Sequence, residues 1–228
     1  MSSSSVWNCS LASILYGSAM AFTTTETRLI LGYSSVAQLG FITLGVFALN
    51  EQGAQGALLQ AFNHGLVVAP AFFIVALLAA RTQGSEDIRD MGGLGMRAPA
   101  LTSLFLIVAF ATLAMPGSSN FVGEFYILLG VFTEKIVIAI VASTGVVLAA
   151  FYTLRLFITA MHNRTGARVE SRELTFREGL VLVPLVLLII AIALYPQFGL
   201  KRSESTVTVV TAPVTAPETA ATLEERLP

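Results

Sequence analysis

The sequence predicts an all-α membrane protein of about six transmembrane helices, one of them interrupted at residues 116–120. Three observations carry this. Only 13 Lys and Arg and 14 Asp and Glu occur among 228 residues, 12% charged, where a soluble domain averages roughly 25%. Apolar residues make up 55%, with a mean hydropathy of +0.77. The few charges are bunched, and between them lie uncharged stretches about as long as the ~20 residues a helix needs to cross a bilayer. A water-soluble enzyme is thereby excluded. A net charge of −1 offers no basic surface, which argues against nucleic acid as a partner. The single cysteine, Cys9, cannot build a disulfide framework or a cysteine metal cage.

Residues 6–22 are the weakest span, because Asn8, Ser10 and Ser13 dilute their first half, and residues 1–5 lack the basic start of a signal peptide. Residues 29–49 are 21 positions without a charge, apolar or small apart from Tyr33, Ser34, Ser35, Gln38 and Thr43. Residues 54–80, carrying His64 and Pro70, form the next span, and 136–154 and 180–195 supply two more. Residues 98–132 differ. A straight helix of 35 residues would reach about 52 Å, beyond the ~30 Å hydrocarbon core. Pro116-Gly117-Ser118-Ser119-Asn120 breaks it, and the remaining 121–132, about 18 Å as a helix, cannot cross alone. One interrupted crossing is therefore expected, with Pro116 and Gly117 ending one half-helix and Asn120 opening the next. Residues 1–200 form the membrane domain, and 201–228, rich in Thr, Val, Ala, Pro and Glu, a flexible polar tail.

The basic residues test this layout. With six spans, Arg28, Arg81, Arg89, Arg97, Arg155, Arg164, Arg168, Arg172 and Arg177 fall on one side, and Lys135, Lys201, Arg202 and Arg226 on the other. This asymmetry follows the positive-inside rule, placing the arginine side in the cytoplasm and both termini outside. Two crossings in 98–132 would erase most of the bias.

Breaks at membrane depth are tolerated where the freed backbone is buried in protein or lines a wet cavity, so they often mark transport sites; the plainer alternative here is a kink. Four residues past the break lies Glu124, the one acidic residue well inside an apolar segment on this topology. A charge there costs at least about 2.5–3.5 kcal/mol, so such residues are rare and usually functional. A carboxyl whose protonation depends on a nearby charge is what a coupled proton relay requires; a protonated carboxyl in a structural hydrogen bond is the alternative. His64 can exchange a proton near neutral pH, or serve as a satisfied structural group. Tyr33, Ser34, Ser35 and Gln38 form a polar patch better suited to supporting helix contacts. No phosphate-binding loop, dinucleotide fingerprint or metal-ligand cluster is present.

Five motifs in order carry a resemblance. Gly32-Tyr33-Ser34-Ser35-Val36-Ala37-Gln38-Leu39-Gly40 is similar to the AYSS-x-x-x-x-G stretch of the antiporter-like membrane subunits of proton-pumping NADH-quinone oxidoreductase, respiratory complex I. Asn63-His64-Gly65-Leu66, then Gly92-Gly93-Leu94 with Pro99, then Met115-Pro116-Gly117 with Asn120-Phe121-Val122-Gly123-Glu124-Phe125, and Tyr195-Pro196-Gln197 continue the series. Glutamate at position 124, where other branches usually have lysine, resembles the M branch.

The resemblance implies a proton-translocating membrane subunit, with Glu124 as the proton-exit carboxylate and His64 on the central hydrophilic axis. Arg28 stands where the family usually has lysine; it keeps the charge but hardly deprotonates. Gln38 stands where many relatives have histidine. The six spans correspond to the second of two inverted repeats plus the last helix, so a truncated subunit is expected. The resemblance implies no cofactor and no redox site in this chain. NADH, flavin, iron–sulfur clusters and quinone would be bound by partner subunits. The implied partners are other complex I membrane subunits, especially neighbouring antiporter-like ones, and the lipid bilayer of a bacterial-type inner or plasma membrane. A monovalent cation/proton antiporter, a membrane-bound hydrogenase subunit and an inactive scaffold fragment are the competing expectations.

Overall fold

The computed structural model describes residues 3–163, 169–170 and 172–224, of which 3–4, 210 and 213–224 are described by backbone alone. The helices in chain order are α1 (Ser3–Thr23), α2 (Thr27–Val46), α3 (Glu51–Arg81), α4 (Pro99–Thr112), α5 (Ser119–Glu134), α6 (Ile136–Met161), α7 (Phe176–Leu194) and α8 (Gln197–Glu224). A short 3-10 turn, Ile88–Asp90, lies between α3 and α4. No strand occurs among the described residues; Glu26 and Asp87 form one isolated bridge. The helices α2, α3, α6 and α7 are each long and apolar enough to cross a membrane. The more polar α1 packs closely along α2. A Cβ built at Gly17 would lie 2.7 Å from Ala37 N, and one at Gly40 2.8 Å from Ile14 Cγ1, so the two backbones approach through small residues.

The interrupted crossing is present. With 14 residues in α4 and 16 in α5, the halves measure about 21 Å and 24 Å, each too short to span alone. The helix α4 begins beside the arginine-bearing loops, where Gly95 N–H donates to Met161 O at 2.8 Å and Glu170 N–H to Arg81 O at 2.8 Å. The end of α5 meets the opposite turn, where Asn50 Nδ2 reaches Gly130 O at 2.7 Å. Together they cross once. Arg164, Arg168 and Arg226, which entered the charge count, lie outside the described residues.

The break differs in detail from the expected one. The helix α4 ends at Thr112, before Pro116, in a Schellman motif: Met115 N–H donates to Phe110 O at 3.1 Å and Ala114 N–H to Ala111 O at 3.2 Å. Ala114 takes the left-handed position (φ 50°) where glycine is usual. Pro116 and Gly117 (φ 92°) then form the centre of a tight turn closed by Ser118 N–H on Met115 O at 2.8 Å. Ser118 is the N-cap of α5, while Asn120 lies inside its first turn and is fully buried.

Two apolar clusters fill the bundle at different depths. One gathers Ile30 and Leu31 of α2, Val67, Ala71 and Ile74 of α3, the buried face of α4, and Leu156 of α6. The other gathers Trp7 and Ile14 of α1, Phe41 and Leu44 of α2, Ala57 of α3, and Ile127 and Val131 of α5. Between them four helices contribute buried polar residues: Ser18 from α1, Ser34 and Gln38 from α2, Gln60 and Asn63 from α3, and Ser119, Asn120 and Glu124 from α5. A polar layer thus crosses the bundle near the middle of α2.

At the arginine end, Arg81 is only 1% exposed. It donates to Leu77 O at 3.0 Å, Arg172 O at 2.9 Å, Glu173 O at 3.2 Å and Glu178 Oε2 at 3.2 Å, tying the start of α7 to the end of α3. The carboxylate of Glu173 accepts from Ala100 N at 3.1 Å and Leu101 N at 3.3 Å, capping α4.

Residues 201–224, expected as a flexible polar tail, continue as α8. Val207 and Thr211, one helical turn apart, are buried beside Ala54, Ala57 and Leu58 of α3, and Thr208 Oγ1 donates to Glu51 Oε1 at 3.1 Å. That contact gives the first half of α8 an apolar face to dock on.

Candidate functional site

The polar layer centres on Glu124. Being 4% exposed, it is well removed from the surface. Gln38 Nε2 donates to Glu124 Oε1 at 2.5 Å. Gln60 Nε2 donates to Gln38 Oε1 at 2.8 Å and reaches Glu124 Oε1 at 3.4 Å. Three helices therefore meet at one carboxyl: α2 through Gln38, α3 through Gln60, and α5. On the side away from the amides, Glu124 borders a mostly apolar groove of about 430 Å³ with Met115, Pro116, Phe121 and Phe125 in its wall.

Small residues make this meeting possible. On α3 and α5, Gly53, Gly56, Gly123 and Gly130 line the seam; a Cβ at Gly56 would fall 2.5 Å from Ile127 N. At one end of the seam Asn50 caps α3, accepting from Gly53 N at 2.8 Å while donating to Gly130 O. At the other, Asn63 Nδ2 donates to Ser119 O at 2.6 Å and fixes the first turn of α5 to α3. Asn120 Oδ1 and Nδ2, Asn63 Oδ1, Ser119 Oγ and Gln60 Oε1 are buried without a hydrogen-bond partner among the described residues. The break thus gathers unspent polar capacity next to the carboxyl.

The other expected site residues are placed as follows. Ser34, one turn before Gln38 on α2, is buried, and the Tyr152 hydroxyl of α6 lies beside it and within electrostatic reach of Glu124; among the described residues that hydroxyl makes no hydrogen bond of ordinary geometry. Tyr33 faces away, its ring edge-on to Tyr16 of α1 at 6.2 Å. Ser35 is half-buried, its hydroxyl unpartnered among the described residues. His64 is half-buried one turn along α3 from Gln60, on the same face by helical spacing. Pro116 and Gly117 are exposed in the break. Arg28 is not part of the layer: it starts α2, is 59% exposed, and pairs with Glu86. Gln60, Ser119 and Tyr152 were not among the candidates. The signal for Gln60 was its spacing of four from His64 in an uncharged run.

Chemically, a buried carboxyl facing two amides can hold a charge or a proton with its partners inside the fold. Among the described residues no group of three His, Cys, Asp or Glu side chains comes together as a metal site.

Comparison with known proteins gives a consistent picture. The family described as NADH:quinone oxidoreductase/Mrp antiporter, transmembrane, matches residues 2–151. Subunit M of NADH-quinone oxidoreductase from Escherichia coli (strain K12) is 36% identical over 197 residues, covering 85% of this chain and 38% of that protein. The subunit M of Mycobacterium tuberculosis (strain H37Rv) is 37% identical over 188 residues, covering 81% of this chain and 33% of that protein. The chain therefore spans little more than a third of the length of these curated relatives. Among solved structures, respiratory complex I from Thermus thermophilus with bound NADH matches with a TM-score of 0.83 and 28% identity, over 92% of this chain and 45% of that one. The Mrp complex from Dietzia sp. DQ12-45-1b matches with a TM-score of 0.80 and 20% identity, over 94% of this chain and 48% of that one, a likeness of fold.

Proposed function

Because this chain belongs to the NADH:quinone oxidoreductase/Mrp antiporter transmembrane family, we propose that it serves as a subunit M-type membrane component of a proton-pumping NADH-quinone oxidoreductase, with Glu124 as the group that takes up and releases the proton. The observation that carries this is the placement of Glu124: a carboxyl held by Gln38 and Gln60 in a polar layer between two apolar clusters. Such a group is isolated from both membrane faces and sensitive to any charge brought near it. His64, one turn from Gln60, is the next carrier along the layer, and Ser34 and Gln38 support Glu124. Arg28, at the surface with Glu86, contributes charge at the arginine end.

In this reading the chain binds no cofactor of its own. NADH, flavin, iron–sulfur clusters and quinone belong to partner subunits, and quinone reduction there changes the charges that act on Glu124. Its neighbours are other antiporter-like membrane subunits. The chain sits in a bacterial-type inner membrane with the arginine end in the cytoplasm and both termini outside.

The test is Glu124→Gln in sealed vesicles oxidising NADH. Loss of proton uptake with assembly intact is expected; unchanged pumping would overturn the assignment. Sodium-dependent proton flux without NADH would reassign the chain to the cation/proton antiporters.

A further inference from the structure

The amides beside Glu124 are arranged for one charge state. An ionised carboxylate only accepts, which suits Gln38 Nε2 at 2.5 Å and Gln60 Nε2 at 3.4 Å from the same oxygen. A protonated carboxyl must donate its O–H, and a proton carried on Oε1, the oxygen both amides engage, would meet another donor with the amides as they stand. The conflict is relieved if both amides turn over. Gln38 Oε1 then accepts from the Glu124 O–H, and Gln38 Nε2 donates to Gln60 Oε1, the atom now buried without a partner among the described residues. The Gln60 NH₂ takes the place of that oxygen, beside Gly123; a Cβ on Gly123 would lie only 2.5 Å from Gln60 Oε1. The rotation is about the last side-chain torsion, which is broad and nearly two-fold, and the reversed amide fills the same volume.

We infer that Gln38 and Gln60 form an amide switch whose two side chains reverse together when Glu124 gains a proton on Oε1, so that the charge state of a carboxyl on α5 sets the orientation of a side chain on α3. Gln38 and Gln60 are positioning residues, and the proton itself moves only onto and off the Glu124 oxygen. The inference rests on the reading of Glu124 as a proton-exchanging group. Its reach is local: Gln60 stands three residues from Asn63, which anchors Ser119 at the break, and four from His64. Other ionisable groups near this layer are few. Tyr152 faces it from α6, His64 lies one turn away on α3, and Tyr33 of α2 and Tyr16 of α1 pair with each other. Neither α4 nor α7 beyond Glu178 carries an ionisable residue.

The experiment is pH-difference infrared spectroscopy of the full chain in lipid vesicles, with glutamine side-chain amides isotopically labelled. A carboxylic C=O band absent from Glu124→Gln should titrate, and the labelled amide band should shift with the same midpoint. Gln60→Met, close in volume, should lose about half of the amide change, because one of two amides is gone, while Gln52→Met should leave it intact. A carboxyl band that titrates while the amide band stays fixed overturns the switch and leaves the role of Glu124 standing. If no such carboxyl band titrates, both fall. The labelled wild-type chain alone decides the matter should Gln60→Met fail to fold.

Discussion

Gly123 lies directly against Gln60: a Cβ at Gly123 would sit 2.5 Å from Gln60 Oε1 and 3.0 Å from Gln60 Cα. The absence of a side chain one residue before Glu124 is what lets α3 bring its amide to the carboxyl. Gly123→Ala must therefore push α3 from α5 or displace Gln60, at a cost of about 1–3 kcal/mol. A lowered thermal midpoint in detergent is expected. Gly32→Ala, where an added Cβ meets nothing within 4 Å, should be neutral or stabilising, since Ala is the better helix former.

Arg81→Met should be among the most damaging changes outside the polar layer. It would strand the carbonyls of Arg172 and Glu173, which Arg81 now engages, and leave Glu178 with Arg172 and Thr175 as its partners. Breaking a fully buried pair from one side costs about 3–5 kcal/mol; the loss here should be smaller, because Glu178 keeps its pair with Arg172. The expected sign is faster tryptic cleavage at the exposed Arg172. Arg81→Lys should recover only part of the loss, because an ammonium cannot reproduce the guanidinium fork.

The loop between α3 and α4 should weaken in acid. Side-chain hydrogen bonds from Arg89 hold Asp87 below its ordinary value of 3.8, at about 2. A depressed carboxylate contributes stability that is present above its unfolded value and is lost as pH falls through the folded one. Wild type should therefore be more stable than Asp87→Asn at pH above about 5. The gap should close as pH falls from about 4 to about 2, as read by paired thermal melts.

Asn50 has two duties, and they can be separated. Its Oδ1 caps α3 through Gly53 N, and its Nδ2 holds Gly130 O. Asn50→Ala should cost about 0.5–2 kcal/mol from the lost cap, with a further loss from the stranded carbonyl. Asn50→Asp keeps the cap and loses the donor, so its melting midpoint should lie between those of wild type and Asn50→Ala.

Much of this architecture was legible in the sequence, because charge is expensive in a bilayer and its absence marks the spans. The break, the single crossing of α4 and α5, and the burial of Glu124 followed from that. Three things did not. Gln60 carries no charge, so counting charges passed over it, and only the packing of α3 on α5 gives it a partner. Tyr33 and Ser34 are neighbours in sequence, but about 100° of helical rotation sends one to Tyr16 and the other to the polar layer. Arg81 counted as a topological charge, yet it is buried by residues 172–178, a contact across some ninety positions that no local pattern announces.

The two apolar clusters on either side of the polar layer have an electrical consequence. Moving one charge through the whole membrane potential is worth about 2.3 kcal/mol per 100 mV. Gln38, and Glu124 with it, sits near the midpoint of α2 (Thr27–Val46), with low-dielectric packing both above and below. A proton resting on Glu124 would have traversed roughly half of the voltage, so each leg of its passage works against only about 1 kcal/mol per 100 mV.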